Sequence, residues 1–246
     1  MHEQVLIIAG TDPTGAAGIT IDIEALCYFN VKPALAISAI NIQNQRQVIK
    51  IKPSSYNILQ QQIMCAIEAC NIQIVKIGMI YSAKNAAMLG NLLQKYQLTA
   101  IFDPVLKASS GYTLSEKKLK NAIIKYMLPN ITILTPNLEE LAILCTDEAA
   151  PNAIKAINQA QYLIDKFNTP AILIKGGHSI ETNEATDILC IKNRAPHYFT
   201  SPMLGKQKRG TGCALSSAIA ANLAKNYDII ESIKQAKQYI SQYIAR

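Results

Sequence analysis

Residues 5–9, 34–40, 74–77, 100–102, 131–134 and 171–174 form short apolar runs rich in Ile and Val, and longer stretches of helical spacing lie between them. A strand with one face in water alternates apolar with polar residues, whereas a strand covered on both faces reads as a nearly continuous apolar run. Tyr56, Leu59, Ile63, Ile67 and Cys70 then fall on one helical face behind Ser54 and Ser55, either of which can cap the helix. Similar segments begin near Ser82, Ser115 and Asn137, and another covers residues 150–168. This βαβα order calls for a largely parallel sheet with helices on both faces, because each parallel crossover must return over one face or the other. Residues 188–191 and 198–200, parted by Asn193-Arg194-Ala195-Pro196, read as a late antiparallel pair before two closing helices. No linker, repeat or low-complexity tract divides residues 1–246, so the expectation is one α/β domain.

Composition narrows the function classes. With 50% hydrophobic and 17% charged residues, the chain can bury a sizeable core and is not a disordered segment. No stretch approaches the roughly 18 uncharged apolar residues of a membrane span. Met1-His2-Glu3-Gln4 lacks the basic start of a signal peptide, so the expected location is the cytoplasm. The six cysteines are scattered, without a C-x-x-C pair or a His at metal-ligand spacing, and free thiols are expected. The formal charge of +7 is spread along the chain, apart from Lys206-Gln207-Lys208-Arg209, and the chain has no Trp for base stacking. Neither nucleic acid nor a membrane is an expected partner.

In open parallel sheets, ligands sit beyond the carboxyl ends of the strands, so the polar residues that follow the apolar runs are the candidates. The first run enters Gly10-Thr11-Asp12-Pro13-Thr14-Gly15-Ala16-Ala17-Gly18 and a helix carrying Asp22. Gly10 and Gly15 have phosphate-loop spacing, but Ala16-Ala17 stand where Lys and Ser/Thr belong. The turn is either a place of close backbone approach to a ligand, with Asp22 offering a carboxylate, or a plain strand-to-helix turn capped by Asp12. Gly210-Thr211-Gly212-Cys213 opens a helix of small residues, where free N–H groups and the helix dipole suit an anion; the alternative is close helix packing. Asp103 and the Thr135-Pro136-Asn137-Leu138-Glu139-Glu140 segment bring oxygen ligands suited to Mg²⁺ to the same edge, although both also suit helix caps. Lys175-Gly176-Gly177-His178 follows a strand with a cation set to meet phosphate.

Taken together and in order, these motifs, with Gln43-Asn44, Lys76-Ile77-Gly78-Met79, Phe102-Asp103-Pro104-Val105 and Ser110-Gly111, resemble the hydroxymethylpyrimidine/phosphomethylpyrimidine kinases of thiamine biosynthesis. The resemblance runs over nearly the whole chain. It implies a ribokinase-like three-layer αβα sandwich with a mostly parallel central sheet. It also implies ATP-dependent phosphorylation of 4-amino-5-hydroxymethyl-2-methylpyrimidine and then of its monophosphate. Carried over by position, Asp22 and Gln43 read the aminopyrimidine edge, with Gly10 and Met79 in its pocket. Asp103 and Glu140 organise Mg²⁺, Asn137 and Lys175 meet the ATP phosphates, and Asp187 lies close to the nucleotide. Gly210, Thr211 and Gly212 form the anion hole, and Cys213 is the base, its thiolate stabilised by the helix N-terminus. The expected partners are the pyrimidine, ATP and a second copy of the chain, with pyridoxal as the nearest competing substrate. Three departures stand out: Arg209 where His is common, Ala16-Ala17 where Gly-Gly is usual, and no Gly-rich tail after the last helix. Arg209 is an added cation on the phosphate side.

Overall fold

The computed structural model describes residues 3–44, 46–106, 118–176, 184–203 and 208–245. The chain runs β1 (Gln4–Gly10), α1 (Ile19–Tyr28), β2 (Lys32–Gln43), β3 (Val48–Pro53), α2 (Tyr56–Cys70), β4 (Ile74–Ile77), α3 (Ala83–Tyr96), β5 (Thr99–Phe102) and α4 (Leu119–Ala122). It continues with β6 (Ile133–Leu134), α5 (Leu138–Cys145), α6 (Ala153–Phe167), β7 (Ala171–Ile174), β8 (Glu184–Ile191), β9 (His197–Pro202), α7 (Thr211–Ala224) and α8 (Ile229–Ala245). The strands form one nine-stranded sheet in the order β3-β2-β1-β4-β5-β6-β7-β8-β9. The six strands from β2 to β7 in that order are parallel, and antiparallel β3 and the β8–β9 pair close the two ends.

Each central strand feeds two cores, because successive side chains point to opposite faces. In β1, Leu6 and Ile8 pack with Leu59 and Ile63 of α2 and Leu89 of α3. Val5, Ile7 and Ala9 pack on the other face with Leu26 of α1, Ile219 of α7 and Ile233 of α8. The three layers expected from the alternation are therefore present. Helix starts follow the predicted caps: Ser55 accepts from the Ile58 N–H, Ser82 from that of Asn85, and Asn137 and Glu140 form a reciprocal capping box. The cap expected near Ser115 lies outside the described residues, as do Ser110, Gly111, Gly177, His178, Lys206 and Gln207.

β3 is the element the sequence pattern does not announce. Its Lys50 and Lys52 interrupt the apolar run, and its burial is that of a half-solvated edge, with Val48 buried and Ile49 exposed.

The chain leaves β1 through α1 toward β2 on one side, while β4 pairs with β1 on the other. The direction of winding reverses there, which opens a crevice beyond the carboxyl ends of β1 and β4. The turn over this crevice needs two of its glycines. Gly18 has φ 63° and a Cβ there would lie 2.4 Å from the Gly10 carbonyl oxygen; Gly15 has φ 69°. Neither Ala16 nor Ala17 is in the left-handed region, so the two alanines fit the turn without strain.

Candidate active site

A cavity of about 1170 Å³ runs along this edge of the sheet. Following the strand order, one end is walled by Gly10, Asn41, Gln43 and Met79, the middle by Asp103, its partner Lys175, Gly212 and Cys213, and the other end by Asn137, Asp187, Lys237 and Ile240. Strand ends and helix starts supply most of these groups, positions that leave backbone groups unpaired, while Asp187 comes from within β8 and Lys237 and Ile240 from within α8.

At the middle of the cavity, Lys175 follows β7 and donates to Asp103 at 2.6 Å, with Glu140 at 3.7 Å. Burial opposes the Lys175 ammonium, but Asp103 and Glu140 outweigh it and hold its pKa above the ordinary lysine value. Glu140 accepts from the Asn137 N–H at 2.9 Å. Burial, opposed by Lys175 and reinforced by Asp103, pushes Glu140 up to about 7. Because this is above the ordinary 4.5, folding favours protonated Glu140. Its stabilisation is present in full below pH 4.5 and is lost as the pH rises through 7. The ligand-free protein should therefore lose stability relative to Glu140→Gln as the pH rises across this window, by up to about 3 kcal/mol. Urea midpoints at several pH values check this, and a difference independent of pH would mean that Glu140 stays ionised throughout.

Helix α7 starts at this point. Gly210 is its N-cap at φ 80°, and a Cβ on Gly210 would stand 2.6 Å from the Ala16 carbonyl oxygen, so the loop before α7 and the first turn are in close contact. A Cβ on Gly212 would meet the Lys175 Nζ at 3.3 Å and Asp103 Oδ2 at 3.6 Å. The free N–H groups of α7 thus open directly beside the Lys175 cation. Cys213, half-buried in this turn, differs from the expectation of a stabilised thiolate. Burial pushes its thiol up to about 11, and the nearby Lys76 only partly offsets this.

One further assignment reads differently in three dimensions, and one unassigned residue joins the site. Asp22 does not reach the cavity wall: it is fully buried, where it accepts from Lys76 Nζ at 2.6 Å and Ser217 Oγ at 2.8 Å. Its carboxylate is committed to these two donors, and it is not among the residues that line the cavity. Lys76, which the sequence reading quoted but gave no role, is the cation that holds it. Its signal was visible, a Lys inside the apolar run Ile74-Val75-Lys76-Ile77. The unassigned residue is Asn41. It is buried on the wall beside Met79, its Nδ2 is 3.5 Å from the Met79 sulfur, and its Oδ1 has no partner.

The remaining predicted residues gather around the same cavity. Gln43 ends β2 and is half-buried. Asp187 accepts from the Gly176 N–H at 3.0 Å and from Lys237 Nζ at 2.8 Å, which ties β8 and α8 to the end of β7. Arg209 Nη2 stands 3.9 Å from Asp12 Oδ2, while the Arg209 carbonyl accepts from the Tyr243 hydroxyl.

A family model described as phosphomethylpyrimidine kinase matches residues 12–246. The chain is 33% identical over 240 residues to the hydroxymethylpyrimidine/phosphomethylpyrimidine kinase of Rhizobium meliloti, covering 98% of this chain and 90% of that one. It is 33% identical over 245 residues to the kinase of that name from Aquifex aeolicus, covering 97% and 93%. Among solved structures, the phosphomethylpyrimidine kinase of Clostridium difficile matches with a TM-score of 0.83 at 30% identity, covering 98% of this chain and 99% of that one. The pyridoxal kinase of Bacillus subtilis, solved as an ADP complex, matches in fold with a TM-score of 0.88 at 24% identity, covering 98% and 91%.

Proposed function

The chain belongs to the phosphomethylpyrimidine kinase family, and on that premise we propose that it transfers the γ-phosphoryl group of ATP to 4-amino-5-hydroxymethyl-2-methylpyrimidine and then to the monophosphate so formed. The observation that carries this reading is the continuity of the cavity from an amide- and Met-lined end, past Lys175 and the start of α7, to an end that holds Asn137 and Lys237. A flat heteroaromatic alcohol suits the first end and a polyphosphate the second.

Phosphoryl transfer needs alignment and charge stabilisation more than covalent chemistry. The N–H groups of Gly210, Thr211, Gly212 and Cys213 would hold the transferred group, Lys175 would meet its charge, and Asn137 and Asp187 would border the nucleotide. Asp103 and Glu140 fit Mg²⁺: two carboxylates share one lysine, and the raised pKa of Glu140 reflects burial first and Asp103 repulsion after it, both of which a dication would offset. Once bound, the ion supplies neutralising charge to the phosphate oxygens.

At the pyrimidine end, the acceptor expected of Asp22 is offered instead by Asn41 Oδ1, with Gln43 beside it. Asn41→Leu should raise KM for the aminopyrimidine by about tenfold with little change in kcat, because an unpaired donor on a bound ligand costs on the order of 1–3 kcal/mol. An unchanged KM would remove Asn41 from the pocket.

Arg209, on the phosphate side, should favour the more anionic second substrate. Arg209→His should therefore raise KM for the monophosphate more than for the alcohol, and equal effects would show that the cation reads neither. The exposed Ile40, Ile42 and Ile49 of the β2–β3 edge offer apolar area for a homodimer.

Cys213 and the hole around it separate by mutation. Gly212→Val would push side-chain carbons toward Lys175 and Asp103 and should leave almost no turnover. Cys213→Ala keeps the backbone N–H groups and should keep measurable activity, losing more in the first transfer than in the second. The second nucleophile is a phosphate oxygen already ionised near pH 7, which needs little base. Single-turnover rates that fall equally in both steps would rule out Cys213 as base.

Incubating the chain with ATP and the hydroxymethylpyrimidine, and in parallel with pyridoxal, tests the whole reading. Mono- and diphosphate of the pyrimidine should form. Phosphorylation of pyridoxal alone would overturn the assignment.

A further inference from the structure

Beneath the first turn of α7 lies a cluster that the transfer chemistry above does not use. Lys76 is fully buried in β4, between apolar neighbours, and donates to Asp22 Oδ1 at 2.6 Å. Ser217 of α7 donates to the same oxygen at 2.8 Å, while Asp22 Oδ2 has no partner. The cluster sits one helical turn below the active-site residues on two helices at once. On α7, Cys213 is four residues before Ser217 and shares its face. On α1, Asp22 donates its N–H to the Gly18 carbonyl, and the Gly18 N–H faces Cys213 closely enough to favour its thiolate. The starts of the two helices thus meet at Cys213, with the ion pair one turn beneath. Lys76 Nζ comes within 3.1 Å of where a Cβ of Gly78 would stand, and both residues border the cavity.

A buried ion pair is a poor stabiliser. The desolvation of two charges returns most of what their attraction gains, and apolar replacements of similar volume are often neutral or better. Stability therefore does not account for a lysine in an otherwise apolar strand. We propose that Lys76, anchored by Asp22 and Ser217, is a positioning residue that maintains positive potential beneath Cys213 and the anion hole of α7. Negative charge arriving there, on sulfur or on the transferred group, then meets a fixed cation. The proposal rests on the kinase reading for its purpose but not for its test. The other charged or titratable groups that act on Cys213 are Asp103 beyond β5, Lys175 beyond β7 and Tyr243 of α8.

The test uses the full chain and iodoacetamide near pH 8, with each cysteine followed by peptide mass spectrometry. Cys27 and Cys65 are exposed and serve as references, and buried Cys190 reports any opening of the fold. In Lys76→Met/Asp22→Val the pair is replaced by apolar side chains, so the fold should hold while Cys213 labelling slows by about tenfold, the equivalent of one pK unit of lost thiolate stabilisation. In Asp22→Asn the cation loses its counter-ion and Cys213 becomes the nearest replacement, so labelling should instead speed up. A packing role would move both variants the same way. Labelling in the double variant at the native rate overturns the proposal, and if that variant does not fold, Lys76→Met/Asp22→Asn, which also removes both charges, decides by the same criterion. In the kinase assay the double variant should lose kcat for the first transfer with both KM values retained. Labelling needs no substrate, so a failure of the substrate assignment would leave it unchanged.

Discussion

Lys175→Ala is expected to lower kcat by about 100- to 1,000-fold while KM for the pyrimidine changes little, because removing one preorganised charge from the reacting group costs on the order of 3 kcal/mol. Lys175 is the residue for which this is the right magnitude. Its ammonium bonds Asp103 at 2.6 Å and stands beside the Gly212 backbone, where the free N–H groups of α7 begin. It therefore belongs to the middle of the cavity, where charge shifts during transfer, and not to the end where the ring would lie. Asp103→Ala should fall in the same range, since it frees Lys175 from its partner and removes one of the two carboxylates suited to a dication. Steady-state kinetics with both substrates varied would check the pair, and unchanged kcat in both variants would refute the site.

Asp22→Ala should cost about 3–5 kcal/mol of stability, the usual consequence of leaving one half of a buried ion pair without its partner. The cause is Lys76, which burial alone would pull toward the neutral form and which Asp22, with help from Asp103, keeps protonated. Without the carboxylate, either an uncompensated ammonium or a forced deprotonation must be borne. Urea unfolding should show a lower midpoint with a similar slope, and the folded enzyme should keep its KM for the pyrimidine. The sequence-based assignment of Asp22 to ring recognition expects a raised KM for the pyrimidine instead, so one variant separates the two.

The difference over Asp22 follows from what a sequence pattern can carry. Helix α5 was legible because its capping box joins Asn137 to Glu140, three positions away. The strand runs were legible because burial on both faces removes polar residues from every position. β3 was not legible, since an edge strand keeps lysines on its solvated face and resembles a loop. The loops at the strand ends were recognisable as a set, and residues from most of those that are described line one cavity.

The local chemistry of the chain thus determined the alternation of strands and helices, the caps and the edge of the sheet where polar groups collect, because each depends on neighbours within about one turn or on burial period alone. The tertiary structure decided which charges are spent on one another and which remain for a ligand. Lys76 finds Asp22 from 54 residues away and Ser217 reaches it from 195. Such partners are chosen by strand order and helix packing, and no window along the chain contains them. Burial also decided the state of Cys213: a helix start favours a thiolate in water, but desolvation in this fold outweighs it.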